Sequence, residues 1–342
     1  MDQLAIIDAR DGFAPQPRGW GRYARCLVEA LKGLSPDQLQ PLELSFITSG
    51  GGRAEVVFEQ LRLPMLLRRR GAVLVHATNC FLPLIRPCPG VATVHDLAFE
   101  EWPDDFHPLT GFKYRILASR AARSAERVIC PSAFTRDDVC SRYGVDPDRV
   151  RVIPEAPAMP IGDADPPDAP YVLAVGDLRQ KKNLSALVSV HARLWHEGAT
   201  GHRLVLAGVD SGEGPRLRTL AGPAPLELPG YVSDERLDAL IRGAEVLVHP
   251  SLYEGFGLVV LEAMARGTPV LAARAGALPE TGGDAAAYFD PADPDSLADR
   301  LASLLADDAA RARLSEAGRA WAARFSWQGT AAETAAVYRE LL

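Results

Sequence analysis

The sequence predicts an α/β protein built from two doubly wound parallel sheets. Short runs of β-branched and other apolar residues alternate with stretches of helix formers along the whole chain, which is typical of parallel strands joined by helices. At 342 residues the chain is long for one core and suits two domains. The predicted strands form two series, at 4–7, 44–48, 73–76, 91–94, 127–130 and 150–153, and at 171–175, 203–207, 226–228, 246–249, 270–273 and 287–289.

A segment rich in proline, aspartate and alanine separates the two series, at 154–170. It contains few apolar side chains that could be buried, and such a composition is typical of a linker. We therefore expect a first domain over 1–157, a linker over 158–170, a second domain over 171–324 and a terminal helix over 325–342. Because ligands of such sheets bind beyond the carboxyl ends of the strands, we expect functional residues in those loops and a cleft between the domains.

The composition excludes several classes of protein. With 47% hydrophobic and 24% charged residues, the chain reads as an ordinary soluble protein, and no apolar run reaches the length of a transmembrane helix. A net charge of −7 argues against nucleic acid as a partner. Five cysteines without a C-x-x-C pair indicate free thiols rather than disulfides or a zinc site. With no signal-like segment at its start, the chain is expected to be cytoplasmic.

The most informative pattern is a pair of carboxylates in the second domain. Glu254 and Glu262 lie eight residues apart, where a buried strand gives way to a helix predicted over 258–266. Gly255 and Gly257 between them let the backbone approach a ligand, and the first amides of the helix form a natural anion site. Carboxylates accept hydrogen bonds from sugar hydroxyls, and backbone amides donate to phosphate oxygens. A loop that offers both groups suits a nucleotide-sugar. Glycine-rich turns also occur without ligands, but an acid among apolar neighbours, as at Glu262, needs a defined partner.

A second loop of the same domain is cationic. It follows the strand predicted at 171–175 and contains Arg179, Lys181 and Lys182. Three cations at the carboxyl end of a buried strand could clamp a pyrophosphate through charge-assisted contacts. The alternative is a solvated loop. The position of this loop in the same domain as Glu254 favours the phosphate site.

The first domain offers weaker signals. Gly19 and Gly21 follow its first strand, but the dinucleotide fingerprint G-x-G-x-x-G is incomplete because position 24 is alanine, which disfavours a nicotinamide enzyme. His95 ends the strand predicted at 91–94 and is either a structural histidine or a site residue. Ser132 is in an equivalent place and could as easily cap the next helix.

A basic run in the first domain leaves two interpretations open. Residues 66–70 read Leu-Leu-Arg-Arg-Arg. Such a run is either a solvated helix end or part of a basic amphipathic helix that lies on a membrane surface.

Taken together, these segments resemble a known family. The spacing Glu254-x7-Glu262 resembles the E-x7-E signature of the retaining glycosyltransferases of family 4, which have the GT-B fold. The similarity extends over nearly the whole chain, through the segments 19–23, 94–97, 176–184, 230–234 and 250–267 and the Phe-Ser-Trp at 325–327.

This resemblance implies transfer of a hexose from a nucleoside-diphosphate sugar, with retention at the anomeric carbon and without a metal or cofactor. The acceptor would be a glycan, a lipid-linked molecule or a small molecule bound by the first domain. The terminal helix would cross back to the first domain, as in the GT-B fold. A peripheral contact with the inner face of the membrane would fit the basic run 66–70.

The resemblance also implies roles for single residues. His95, Lys182 and Glu254 would be catalytic, with Lys182 on the leaving diphosphate and Glu254 on the donor sugar. Glu262 would hold the ribose, and Gly21 would let the first domain close over the donor. Further donor-binding residues would be Gly19, Gly176, Arg179, Lys181, Tyr231, Val232, Gly255, Phe256, Gly257 and Leu258.

One position departs from the family pattern. Many members have an arginine five residues before the phosphate-binding lysine, where this chain has Asp177. Arg179 or Lys181 would then supply the second cation. Lys181-Lys182-Asn183 resembles the R-K-N variant of a subgroup that often uses GDP-mannose, so we expect GDP-mannose before UDP- or ADP-sugars.

Two other functions stay open from the sequence. One is another GT-B enzyme of sugar nucleotides, such as an epimerase, which would lack E-x7-E in this setting, or a phosphorylase, which would be much longer. The other is a protein that binds nucleotide-sugars without catalysis. Turnover of a donor distinguishes it from an enzyme.

Overall fold

The computed structural model describes residues 3–14, 19–50, 55–168 and 170–342. The chain divides into two compact units. The first unit comprises the chain up to Ala158 together with Ser326–Leu342, and the second is Met159–Phe325. Each unit contains one sheet of six strands, and every strand pairing within both sheets is parallel.

The sheet of the first unit has the strand order β2-β1-β3-β4-β5-β6. Its strands are β1 Gln3–Asp8, β2 Leu42–Ile47, β3 Leu74–Ala77, β4 Gly90–Thr93, β5 Arg127–Cys130 and β6 Val150–Val152. Its helices are α1 Gly19–Lys32, α2 Pro36–Leu39, α3 Glu55–Val57, α4 Leu63–Arg70, α5 Ala98–Glu101, α6 Pro108–Ser124, α7 Ala133–Tyr143 and, from the end of the chain, α15 Trp327–Arg339. A π-helical turn, Phe58–Arg62, joins α3 to α4.

Alternate side chains of these strands enter two different cores. Ile6, Val75 and Ala92 belong to one core and Ile7 and Leu74 to the other, as expected for a sheet covered by helices on both faces.

The terminal helix α15 completes the second of these cores. The hydroxyl of Tyr338 lies 2.6 Å from Nδ1 of His76, whose Nε2 lies 2.8 Å from the hydroxyl of Thr93. Burial lowers the pKa of His76 to about 3, so its ring is neutral and can donate from one nitrogen while it accepts at the other. The last residues of the chain are therefore an integral part of the first unit.

The sheet of the second unit has the order β12-β11-β10-β7-β8-β9. Its strands are β7 Tyr171–Val175, β8 Arg203–Ala207, β9 Leu226–Gly230, β10 Val246–His249, β11 Val270–Ala273 and β12 Ala287–Phe289. Its helices are α8 Leu184–His196, α9 Gly214–Ala221, α10 Asp234–Gly243, α11 Leu258–Arg266, α12 Leu278–Gly282, α13 Pro294–Ala306 and α14 Asp308–Ala322.

The predicted secondary structure agrees closely with this arrangement. All twelve predicted strands occur, most of them with bounds within a residue or two, and α11 spans the predicted 258–266. The fold prediction of two doubly wound sheets is confirmed.

The segment that the sequence assigns to a linker is attached to the second unit. The amide of Met159 donates to Glu262 Oε1 at 2.9 Å, and the amide of Gly162 donates to Asp238 Oδ2 at 3.1 Å. Arg266 donates to the carbonyls of Met159 and Pro160, each at 3.1 Å. The chain passes from one unit to the other at two points, from Ala158 to Met159 and from Phe325 to Ser326.

Candidate functional site

The strand order of the second unit reverses between β7 and β10. The chain runs outward from β7 through β8 to β9, and then returns to place β10 on the other side of β7. Loops that follow two such strands diverge and leave a crevice at the carboxyl edge, where open α/β sheets bind their ligands. The cationic loop follows β7 and the Glu254 loop follows β10, so both predicted donor loops lie at this switch point.

Glycines shape the loop after β7. Gly176 has φ +147, and a Cβ at this position would lie 3.1 Å from Cε of Lys182. A Cβ at Gly208 would lie 2.0 Å from the carbonyl oxygen of Gly176, so β8 can approach only without a side chain there. The loop then forms a 3-10 turn over Gln180–Lys182, and Asn183, in the left-handed conformation, leads into α8. This geometry sets the position of Lys182.

The two loops meet in an ion pair. Nζ of Lys182 binds Oε1 of Glu254, and His249 Nε2 lies 3.1 Å from the same oxygen. Ser251 Oγ lies 3.3 Å from His249 Nε2. The backbone is joined as well, since the amide of Leu252 donates to the carbonyl of Lys181 at 2.9 Å.

Electrostatics keep Glu254 ionised. Burial by itself raises the pKa of its carboxyl, but the charge of Lys182, the hydrogen bond from His249 and the charge of Lys181 outweigh burial and hold the pKa well below its usual range. The pKa of His249 is lowered, chiefly by burial, with Glu254 opposing. At neutral pH the site therefore holds the carboxylate of Glu254 and the neutral imidazole of His249.

The Glu254 loop is held from the far side by the segment before α12. Gly276, at φ +55, lets that segment approach, because a Cβ there would lie 2.8 Å from the backbone nitrogen and oxygen of Glu254. The amide of Ala277 donates to the carbonyl of Glu254 at 3.0 Å, and the hydroxyl of Thr281 donates to the carbonyl of Phe256. Gly257, at φ +98, then begins α11. The backbone amides at this helix start are consequently fixed in place.

Glu262 has defined partners inside the second unit. Its Oε2 accepts from Nη1 of Arg266, one turn further along α11, at 2.6 Å. Its Oε1 accepts from the amide of Met159 at 2.9 Å. Arg266, whose side chain is fully buried, also binds Asp238 Oδ1 at 2.6 Å. The need of this buried acid for a partner is thus met by Arg266, and the role of Glu262 on a ribose stays a prediction.

Asp177, which departs from the family pattern, is engaged in the loop itself. Its Oδ1 accepts from the amide of Val209 at 3.3 Å, and its Oδ2 lies 3.9 Å from Nη2 of Arg179. Tyr231 and Val232 follow β9, two strands away from β7, and the side chain of Tyr231 is exposed. These positions leave the predicted roles of Arg179, Tyr231 and Val232 untested.

The predicted site residues of the first unit are His95, Gly19 and Gly21, and the contacts of His95 all lie within that unit. Both ring nitrogens of His95 are engaged, Nδ1 with Glu155 Oε1 at 3.1 Å and Nε2 with the carbonyl of Thr78 at 2.9 Å. Its ring stacks on Trp20 with centroids 5.8 Å apart. Gly19 begins α1 at φ +28, and Gly21 is buried in the first turn.

The strand order of the first sheet also reverses, between β1 and β3, and sequence analysis missed the polar cluster there. Arg10 binds Asp8 through Nε at 2.8 Å and Nη2 at 2.9 Å, and its Nη2 lies 3.3 Å from Oε1 of Glu59. Asn79 donates to Asp11 at 2.8 Å. Because Glu59 is 49 positions from Arg10, no local pattern indicates this contact.

Comparison with known proteins identifies the family to which this chain is similar. Residues 162–321 match the sequence model of the glycosyl transferases group 1, and residues 23–156 match that of glycosyltransferase family 4. O-antigen chain mannosyltransferase B of Escherichia coli is 30% identical over 283 residues, which are 78% of this chain and 74% of that protein. MMP alpha-(1->4)-mannosyltransferase of Mycolicibacterium hassiacum is 34% identical over 234 residues, 66% of this chain and 57% of that protein.

Solved structures share the fold. Sucrose-phosphate synthase of Thermosynechococcus elongatus superposes with a TM-score of 0.75 over 99% of both chains at 24% identity. HepE of Anabaena, in complex with UDP and glucose, superposes with a TM-score of 0.71 over the full length of both chains at 18% identity.

The fold and the sequence models together define a glycosyltransferase with the two sheets of the GT-B fold. More narrowly, the chain belongs to glycosyltransferase family 4, among relatives that include mannosyltransferases.

Glu59 makes the first unit sensitive to pH. The residue is fully buried, and its Oε2 has no hydrogen-bond partner in the described part of the chain. Burial first, and the charge of Glu55 second, raise its pKa to about 8, against the opposing charges of Arg10 and Lys113. The folded protein therefore holds a proton here between the unfolded pKa and about 8, and it loses stability as pH rises through this window.

Glu59→Gln should remove this loss, because an amide needs no proton to stay neutral. We expect the variant to exceed the wild type in free energy of unfolding at about pH 9 and to differ little at about pH 5, as measured by urea titration. Glu55→Gln, which changes a half-buried neighbour, is the control and should shift the dependence only slightly. A constant difference between Glu59→Gln and wild type at both pH values would contradict the assignment.

Proposed function

We propose that this protein is a retaining, metal-independent hexosyltransferase that moves mannose from GDP-mannose to a glycan, a lipid-linked molecule or a small molecule. The observation that carries the proposal is the cluster of Lys182, Glu254 and His249 at the strand-order reversal of the second sheet. Relatives named as mannosyltransferases support mannose. HepE, which binds UDP and glucose, supports a nucleotide-sugar as the class of donor.

In this proposal the donor lies across the loops after β7 and β10. Lys182, with Lys181 or Arg179 as second cation, meets the diphosphate, and the amides of Gly255, Phe256, Gly257 and Leu258 at the start of α11 complete an anion site. Gly176 leaves room for the phosphates. Glu254 accepts hydrogen bonds from the sugar hydroxyls, Glu262 meets the ribose, and the backbone at Tyr231 and Val232 meets the base.

Lys182 changes partner when the donor binds. In the structure its ammonium group binds Glu254, which orients it at a partly buried position. A diphosphate carries more charge than one carboxylate and competes for the same ammonium group. Glu254 is then free to accept from sugar hydroxyls. The ion pair thus positions both groups and keeps Glu254 ionised before the substrate arrives.

Transfer proceeds by attack of an acceptor hydroxyl on the face that the diphosphate leaves. The bond from the anomeric carbon to the diphosphate oxygen breaks as the bond to the acceptor oxygen forms, and the hydroxyl proton passes to the leaving phosphate. Negative charge grows on that oxygen, and Lys182 and the start of α11 stabilise it. From the first domain, His95 approaches the sugar, and Gly19 and Gly21 allow close approach to the donor.

The acceptor and the cellular setting also belong to the proposal. We assign the acceptor to the first unit, where the strand order reverses between β1 and β3. The protein works in the cytoplasm and does not bind nucleic acid. None of the described helices is long and apolar enough to cross a membrane.

A peripheral membrane contact is proposed through the segment from Val57 to Arg70. Val57, Leu61 and Met65 recur at a spacing of four and are exposed, and the arginines Arg68 and Arg69 follow at the end of α4. An exposed apolar row next to cations suits an anionic lipid surface.

A donor panel tests the proposed activity. We expect the full-length protein to hydrolyse GDP-mannose slowly in the absence of acceptor, faster than UDP-glucose or ADP-glucose, and without inhibition by EDTA. Proton NMR should first detect the α anomer of the released sugar, since the donor is α-linked and the configuration is retained. Binding without turnover would indicate a non-catalytic protein, and release of the β anomer would contradict retention.

Lys182→Ala should act on the transition state more than on ground-state binding, because the charge that it faces grows as the diphosphate leaves. We expect kcat to fall by about a hundredfold or more, with a smaller change in KM. Arg179→Ala removes another cation that this proposal places near the diphosphate, and it serves as the comparison between the two candidate residues. A near-normal kcat for Lys182→Ala beside a large loss for Arg179→Ala would transfer the role to Arg179.

Glu262→Gln tests the ribose contact. Loss of a charged hydrogen bond should weaken GDP binding by about 1.5–3 kcal/mol in isothermal titration calorimetry. Asp238→Asn is the matched control, because it also removes a carboxylate partner from Arg266 but lies outside the proposed donor site. Both substitutions should lower the melting temperature, but only Glu262→Gln should weaken the binding of GDP. Equal GDP affinity in the two folded variants would show that Glu262 serves the fold alone.

A further inference from the structure

The first unit contains a cationic cavity that no step of the proposed reaction uses. It has a volume of about 510 Å³ and lies among α5, α6 and α7. Its lining includes four arginines, Arg115, Arg120, Arg123 and Arg142, and one carboxylate, Glu100. The charged lining therefore has a net charge of +3, on a chain whose total is −7.

The charge of the cavity is only partly compensated by its surroundings. Arg142 forms ion pairs with Asp138 and Glu101. Glu100 accepts a hydrogen bond from the hydroxyl of Tyr143 at 2.8 Å, and Arg123 donates to a backbone carbonyl, that of Tyr143, at 2.7 Å. That carbonyl orients the guanidinium of Arg123 and leaves its charge unbalanced.

Two further guanidinium groups have no such contact. Arg115 and Arg120 make neither a hydrogen bond nor an ion pair within the described ranges of the chain. Arg120 and Arg123 lie three residues apart on α6, a spacing at which like charges repel. Three cations therefore face one cavity whose lining carboxylate, Glu100, accepts from Tyr143 and forms no ion pair with them in the described part of the chain, so their positive charge is left unbalanced.

We propose that this cavity binds a phosphate group. A guanidinium presents its N–H donors as a planar fork that matches two phosphate oxygens, and phosphate carries more than one negative charge to meet Arg115, Arg120 and Arg123 together. A carboxylate would neutralise only one of the three. The lining residues all belong to the first unit, whereas Lys182 and Glu254 belong to the second, so the proposal stands independently of the donor site.

Two sources of phosphate fit the surroundings. The first turns of α6 expose Leu109 and Phe112 at 75% and 60%, so a lipid could place its chains against this helix and its headgroup in the cavity. A soluble phosphorylated compound would bind through the arginines alone, without contact to Leu109 and Phe112. The chemistry of recognition is the same in both cases, and the two sources are separated by experiment.

The first arm of the test uses inorganic pyrophosphate as the probe. Ile116 lines the cavity, so its δ-methyl NMR signal in the full-length protein reports binding there and not at the donor site. We expect a saturable shift in the wild type and an affinity at least about tenfold weaker in Arg115→Ala/Arg120→Ala. The affinity of Arg115→Lys/Arg120→Lys for pyrophosphate should lie between those of the wild type and the double alanine variant.

The matched control is Arg216→Ala/Arg313→Ala. It removes the same charge from the second unit, at side chains that are 62% and 71% exposed. This variant should show the wild-type Ile116 response, which separates a built site from a general effect of net charge. Circular dichroism and melting temperature verify that each variant is folded.

The second arm measures sedimentation with vesicles of phosphatidylcholine, alone or in equimolar mixture with phosphatidylglycerol. Loss of binding to the anionic vesicles in Arg115→Ala/Arg120→Ala, but not in the control, identifies a lipid headgroup. An Ile116 response to pyrophosphate with vesicle binding unchanged identifies a soluble phosphate compound. If Ile116 shows no saturable response and the double variant sediments like the wild type, the proposal is overturned.

Discussion

The partly buried pair of Lys182 and Glu254 is the interaction on which the organisation of the second unit depends. Two charges removed from water are stable only when each finds its partner in good geometry. Gly176 and Gly208 let the first loop pass close to β8, while Gly276 and Ala277 hold the second loop from behind. These backbone features have a common result, which is that an ammonium group and a carboxylate meet at the strand-order reversal.

Arg266 plays a comparable part away from that pair. Its buried guanidinium joins Glu262 on its own helix, Asp238 on α10 and the carbonyls of Met159 and Pro160. The side chain of Arg266 thus connects the first residues of the second unit, Met159 and Pro160, to α11, the helix that follows the Glu254 loop. A ligand that contacts Glu262 would act on the same network that fixes the point where the chain enters this unit.

Local patterns were sufficient to predict the strands and α11, because apolar runs and the glycine at position 267 carry their signal within a few residues. The same holds for the two loops that are predicted to bind a donor, which the topology brings together after β7 and β10. The contact of Glu262 with the amide of Met159 could not be predicted, since the two residues are 103 positions apart. Glu59 and the arginine cavity were missed for the same reason, because their neighbours come from separate elements and each charge alone reads as a solvated surface residue.

The contribution of Ser326–Leu342 to the first unit has a consequence for how the chain folds. The second unit is a continuous segment, Met159–Phe325, and all its strands have been synthesised before α15. The first unit lacks the hydrogen bond between Tyr338 and His76 until α15 has been synthesised. Since domains fold as units during synthesis, the segment inserted in the middle can reach its native state first. Until α15 is available, the first unit has only α1 of the two helices that share this core, so its packing is completed after the second unit has been synthesised.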